Sequence, residues 1–399
     1  MMQLPSDLRS FAFSLKIWGL LPSDRFEDFG HKTSKKSHIY PIFMSIFAWI
    51  NLFRFLTHLI WIPAFSVQQI LFSGLLIGYM FVGALLRTLF SIAHFQNQGL
   101  VRSIQKLQEQ KCPIWEEMAP HMEACRRRRS KVINMIHLFS WLFVIFNTSF
   151  LLGMGLVKQP SIRLMFAPFP QLDNDVAYYV GVLVVWILTL VSDTGGIFIN
   201  TFIVAYTIEL ASKFDFITKL IEGNGTQHPG FFPDDNHQLE EQKMKPSLEL
   251  DIENIRMAHL FWYQRVKDFD KLARVAIGLA MSIGFLCLLI NMYLIIWGTD
   301  GRDMSIGHLA WAAFGLFFLF CHLLGSSHLN KTAANVTDAI FKVPTQVLFR
   351  QDNSIANFNI LLFIGQCTSE PIALTFFDLF YLRNETVMAV SCTFKHLFF

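Results

Sequence analysis

Six long apolar runs recur along this chain, at about 40–63, 70–95, 132–157, 176–208, 275–297 and 306–327. No other feature limits its fold so narrowly. A hydrocarbon core about 30 Å thick is crossed by roughly 20 consecutive apolar residues in a helix. Inside lipid every backbone N–H and C=O must be satisfied within the segment, which leaves helices or closed barrels. Runs of this length without period-two alternation predict helices, so the chain is expected to be an all-α membrane protein. The fourth run is long enough to project beyond the bilayer, since roughly 33 residues at 1.5 Å each reach about 50 Å. A seventh, weaker run begins near residue 384. Composition agrees: 53% of the 399 residues are hydrophobic and only 16% are charged, where a soluble domain carries about 25% charge.

Lysine and arginine are distributed unevenly between the connections. The segments 1–38, 87–131, 211–274 and 328–383 hold 28 of the 33, and the alternate connections hold three. Short loops rich in Lys and Arg stay in the cytoplasm. The N-terminus is therefore expected inside, with seven spans and the C-terminus outside, in the plasma membrane. G-protein-coupled receptors have the opposite orientation. The chain also has no Asp-Arg-Tyr after its third run and no Asn-Pro-x-x-Tyr in its last. The first residues lack a basic start, a long apolar core and a cleavage site, so no signal peptide is read. Sequons at Asn224, Asn330, Asn335 and Asn384 fall on the inner side or at its edge. Six scattered cysteines (Cys112, Cys125, Cys287, Cys321, Cys367, Cys392) form no CxxC spacing and are expected to be reduced.

Three regions follow: a cytoplasmic segment 1–39, a six-helix region 40–338 with cytoplasmic extensions over about 209–274, and a terminal region 339–399. Before the fifth run, Leu248, Ile252, Ile255, Leu260, Val266, Phe269 and Leu272 approximate one helical face. The fifth helix is thus expected to begin several turns inside the cytoplasm. Residues 354–382 are apolar but contain Gly365, Glu370 and Pro371. They predict a helix in an interfacial or protein-packed layer, then a break before the last span.

The ending contains "FNILLF", "IALTFFDLF" and "YLRNETV". With the inverted seven-span pattern, these stretches resemble the insect gustatory and odorant receptor superfamily. The resemblance implies a tetrameric ligand-gated cation channel of like or related subunits, opened by small tastants or odorants. It also implies a ligand pocket among helices two to six towards the outer face, and a last helix split into an anchor and a pore-lining half. The pore half would carry Thr386, Val390 and Thr393. The ending "CTFKHLFF" places Lys395 and His396 where the resemblance expects apolar residues. From Asn384 onward the chain makes about 24 Å of helix, so this last helix is expected to be short of the outer face.

Candidate pocket residues are aromatic and amide side chains near the outer helix ends: Tyr79, Asn147, Tyr178, Tyr179, Trp186, Asn291, Tyr293, Trp297, His308 and Trp311. A mostly apolar set with a few polar groups suits a small molecule. The competing account of each Trp and Tyr is the interfacial aromatic belt. Two charges fall inside apolar runs, Arg54 and Asp193. Asp193 reads either as a ligand or gating contact or as a buried partner of Arg54 or His58, because an intramembrane carboxylate must face protein or water. Arg87, at a run's edge, is expected to snorkel towards headgroups. The run Arg126 to Arg129 precedes a span and is read as a topology determinant meeting anionic lipid rather than nucleic acid. Gly74 and Gly78 form a GxxxG close-packing signal. His58, His137 and His322 read as packed or interfacial. No P-loop, GxSxG, HExxH or paired Cys/His spacing occurs, so neither enzyme activity, metal nor cofactor is expected. The alternative to a channel is a transporter or a non-conducting inverted receptor, but no internal repeat supports the former.

Overall fold

The apolar runs form helices that continue well past the apolar residues themselves. The computed structural model describes residues 6–20, 39–60, 67–95, 115–156, 175–225, 248–297, 302–342, 354–369, 371–377, 379–383, 385–386 and 388–389. The helices are α1 (Ser6–Ile17), α2 (Ile39–Ile60), α3 (Val67–Phe95), α4 (Trp115–Leu156), α5 (Asp175–Gly225), α6 (Leu248–Trp297), α7 (Arg302–Lys342) and α8 (Ser354–Ser369). A hairpin of β1 (Thr375–Phe376) and β2 (Phe380–Tyr381) follows. Among the described residues, α2 to α7 are six helices long and apolar enough to cross a membrane, in the places the six runs predict. The last span and its Val390 and Thr393 lie outside the described residues. Thr386 is described, and its hydroxyl donates to Tyr381 O at 3.1 Å.

α5 is the centre of the bundle and packs against α2, α3, α4, α6 and α7. Every residue from Val191 to Thr207 is buried, as expected of a helix hydrophobic on all faces. Its hydroxyls are satisfied within the helix: Thr201 donates to Ile197 O at 3.0 Å and Thr207 to Ile203 O at 2.8 Å. By contrast α2 and α4 turn Phe43, Ile46, Ile50, Leu138, Leu142 and Ile145 outward, the surface a lipid-facing helix needs.

Three readings are corrected by the packing. Arg87 does not snorkel; it is 1% exposed. It donates from Nε to Val191 O at 2.9 Å, from Nη1 to Trp18 O at 2.6 Å and from Nη2 to Thr194 Oγ1 at 2.9 Å. The guanidinium thus fastens the residues just after α1 to the crossing of α3 and α5. α1 itself buries Phe11 and Leu15 against α4 and α5, so residues 1–39 include a helix docked on the bundle. The second correction is the buried face of α6. Ile255, Val266 and Phe269 face inward as expected, but Leu260 is exposed and Leu272 half-buried; Trp262, Ala258 and Ala273 fill the face instead. Third, Arg129 turns inward. Its Nε meets Glu209 Oε2 at 2.7 Å while Lys213 Nζ meets Oε1 at 2.8 Å, with side chains only 7–8% exposed. Lys213 also lies 5.5 Å from the Trp262 ring centroid.

α8 packs on α6 and α7. α8 ends at Ser369, two residues before Pro371, in keeping with the general rule that helices stop at or before the position preceding a proline. The hairpin that follows departs from the purely α expectation. Asp270 of α6 holds it, accepting from Thr375 N at 2.7 Å and Thr375 Oγ1 at 2.8 Å. Phe377 takes φ 49° at the turn and lays its ring on Gly278, where a Cβ would come within 2.5 Å of it. That left-handed conformation is costly for a bulky residue, and the ring's socket on α6 is what holds it.

Candidate functional site

The site begins at two places where helix backbones touch. A Cβ on Gly83 would lie 2.7 Å from Ser192 O, so only glycine lets α3 reach α5 there. A Cβ on Gly315 would lie 2.5 Å from Gly284 O, which sets the approach of α6 and α7. These crossings, rather than Gly74, are the close-packing points: beside Gly74 there is open space. Together Gly83, Gly196, Gly284 and Gly315 leave a pocket between α3, α5, α6 and α7.

Aromatic rings close the pocket. Tyr79 meets Trp311 edge to face at 5.1 Å between centroids, and Phe314 packs on Phe318 at 4.4 Å. The cavity measures about 30 Å³, room for roughly two waters. A larger organic molecule enters only if one of these rings swings aside. The polar groups are few. Asn200 Nδ2 donates to Gly196 O at 2.7 Å, so its other atom is an acceptor oxygen, and that oxygen has no donor. The Tyr79 hydroxyl is likewise buried without a partner.

Asp193 lies one turn from this wall on α5 and is 1% exposed. Its Oδ2 accepts from Asn147 Nδ2 of α4. The Arg54 pairing weighed for it is not made: Arg54 donates to Asn51 Oδ1, and Asn51 in turn donates to Ser192 Oγ. The side chain of His58 lies outside the described residues. Beyond the pocket, His308 Nδ1 and Asn291 Oδ1 are 2.8 Å apart, Asn291 donates to Cys287 O at 2.7 Å, and the Cys287 thiol donates to Trp311 O. This chain steadies the Trp311 backbone from behind.

Of the sequence candidates, Tyr79 and Trp311 line the pocket. Asn147, Asn291 and His308 are buried but do not line it. Tyr178 is buried and Trp186 half-buried elsewhere on α5. Tyr179, Tyr293 and Trp297 face outward, Trp297 at 68% exposure, which suits the belt rather than the pocket. Sequence reasoning passed over Asn200, Phe314, Phe318 and the four glycines. Asn200 was within reach: it lies seven residues beyond Asp193, on the same helical face. His137 is packed, 2.8 Å from Ser14 Oγ and against Phe11. Cys287, Cys321 and Cys367 are free thiols, as expected of them. Among the described residues no cluster of three metal-ligating side chains occurs.

No family model and no curated protein matches the sequence. Solved structures do. The insect olfactory receptor OR5 from Machilis hrabei in complex with eugenol superposes with a TM-score of 0.73 at 14% identity, over 97% of this chain and 94% of that one. A second structure of that receptor gives 0.72 at 13% identity, over 98% of this chain and 96% of the other. Both neighbours are receptors rather than enzymes. A multi-pass bundle with a docked lower helix and a hairpin, superposed from end to end at this level, is the fold of the insect olfactory receptors, and this chain has that fold.

Proposed function

We propose that this chain is a chemosensory receptor, one subunit of a tetrameric cation channel opened by small tastants or odorants in the plasma membrane. The observation that carries the reading is the apolar pocket between α3, α5, α6 and α7, with two unsatisfied polar atoms, in a chain of olfactory-receptor fold. Unsatisfied buried acceptors are rare because each costs about 1–3 kcal/mol. At Asn200 and Tyr79 a ligand hydroxyl would recover that cost. Eugenol, the ligand of the Machilis receptor structure, is a phenol of this kind. The apolar outer face of α8, with Phe358 and Leu361 at 60% and 61% exposure, supplies a surface for neighbouring subunits. The segment after Arg383 would line the pore. The Lys and Arg distribution supports a cytoplasmic N-terminus.

Current recording from cells expressing the full chain, across a tastant and odorant panel including eugenol, tests the function directly. The pocket has its own test. Asn200→Leu removes an unsatisfied acceptor while keeping the volume, so the empty protein is expected to melt at a higher temperature. Binding of hydroxyl-bearing ligands should fall about tenfold, the share of one hydrogen bond. Lower stability with unchanged affinity would place the ligand elsewhere. Orientation is checked at Asn224, which should carry no glycan in a surface-expressed protein; a glycosidase-sensitive shift there reverses the topology.

A further inference from the structure

The groups around the pocket are out of balance: acceptors exceed donors. Asp193, Gly196, Ile197 and Asn200 recur at spacings of three and four, so they share one face of α5, and the last three line the pocket. Asp193 therefore stands on that face one turn beyond the lining, with its side chain buried. Asn147 Nδ2 donates to Asp193 Oδ2, and Asn200 Nδ2 donates to Gly196 O. Both amide orientations are thereby set by acceptors, and both remaining oxygens are acceptors without a donor. The two asparagines are 1% and 3% exposed. No lysine, arginine or histidine lines the pocket, and among the described residues Asp193 has no ion-pair partner.

A phenol and an orphaned amide oxygen in the lining, with a carboxylate and a second orphaned amide oxygen one turn beyond it, lack positive charge and N–H donors. A neutral hydroxyl supplies one donor. An ammonium group supplies three and the charge. The ring faces of Tyr79, Trp311 and Phe314 also attract a cation, whereas a bare metal ion would find a single carboxylate and no second ligand set. We propose that this pocket selects a small organic ammonium ion with an aromatic or apolar body, Asp193 being its counter-charge. This rests on the pocket being the ligand site.

The test uses the purified full chain in lipid nanodiscs and three probes: phenethylamine, its neutral counterpart 2-phenylethanol, and eugenol, titrated calorimetrically. Phenethylamine is expected to bind about tenfold or more tightly than 2-phenylethanol, as a charge-assisted contact does over a neutral one. Asp193→Asn should erase that preference while leaving 2-phenylethanol within about twofold; Asp193→Glu should keep it. If Asp193→Asn does not fold, the native amine-to-alcohol ratio and Asp193→Glu decide. Equal binding of amine and alcohol, or a preference that survives Asp193→Asn, overturns the proposal and leaves the pocket reading standing. If eugenol and both phenethyl probes all fail to bind, the pocket reading falls and the proposal with it.

Discussion

Glu209→Ala is expected to cost the protein about 3–5 kcal/mol of stability, the range for removing one member of a buried ionic group. Arg129 and Lys213 converge on this one carboxylate with almost no access to water. Without it, two cations remain in a low-dielectric site without their shared counter-charge, Arg129 keeping Ser212 Oγ at 3.2 Å and Lys213 the Trp262 ring among their contacts. The expected readout is a large fall in melting temperature and a loss of monodisperse protein on size-exclusion chromatography. Glu209→Gln should be nearly as damaging, since the amide keeps the shape but not the charge. An unchanged melting temperature in both variants would mean that the cations reach water or lipid phosphate at no cost.

Gly315→Val carries a comparable expected loss for a different reason. The Cβ alone would sit 2.5 Å from Gly284 O and 3.2 Å from Cys287 Cβ. Backbone cannot swing away as a side chain does, so α6 and α7 must separate along the contact. Overpacking a core costs typically 1–3 kcal/mol and occasionally more, and here the obstacle is main chain on both sides. Surface expression should fall steeply, and whatever protein folds should have lost the pocket wall. Gly74→Val, where open space faces the helix, is the matched control and should be close to neutral. Equal behaviour of the two would remove the glycine crossing as a determinant of the pocket.

How much of this was legible beforehand depends on what each feature needs. Six spans and the long lower half of α6 were readable because hydropathy and helical period are local. The centrality of α5 was half visible, as the longest apolar run. Which way a single long side chain turns was not readable. Arg87 and Arg129 both sit beside apolar runs, where snorkelling and burial look alike in sequence, and only carbonyls from Val191 and Trp18 or a carboxylate from Glu209 distinguish them. The glycine crossings were hidden for the opposite reason: small residues are common in apolar helices, so GxxxG at Gly74 stood out while the isolated Gly83, Gly284 and Gly315 did not. The aromatic candidates were the right kind of residue in the right region, yet Tyr293 and Trp297 face out and Phe314 faces in, a difference of helix rotation. The hairpin pairs two residues with two, too short to leave a periodic trace.

α6 is an unbroken helix without proline from Leu248 to Trp297, and it carries both Gly284 of the pocket and Asp270 of the hairpin socket. Those two positions are roughly four turns and about 21 Å apart. Near-whole turns place them in phase, so the rod presents one face to the pocket and nearly the same face to the hairpin. Inserting or deleting a single residue between them would rotate one site by about 100° against the other, misaligning both without touching either. The spacing therefore acts as a fixed clock between the pocket and the hairpin. Side chains on the rod can be exchanged without disturbing this phase, while the residue count between Asp270 and Gly284 cannot change.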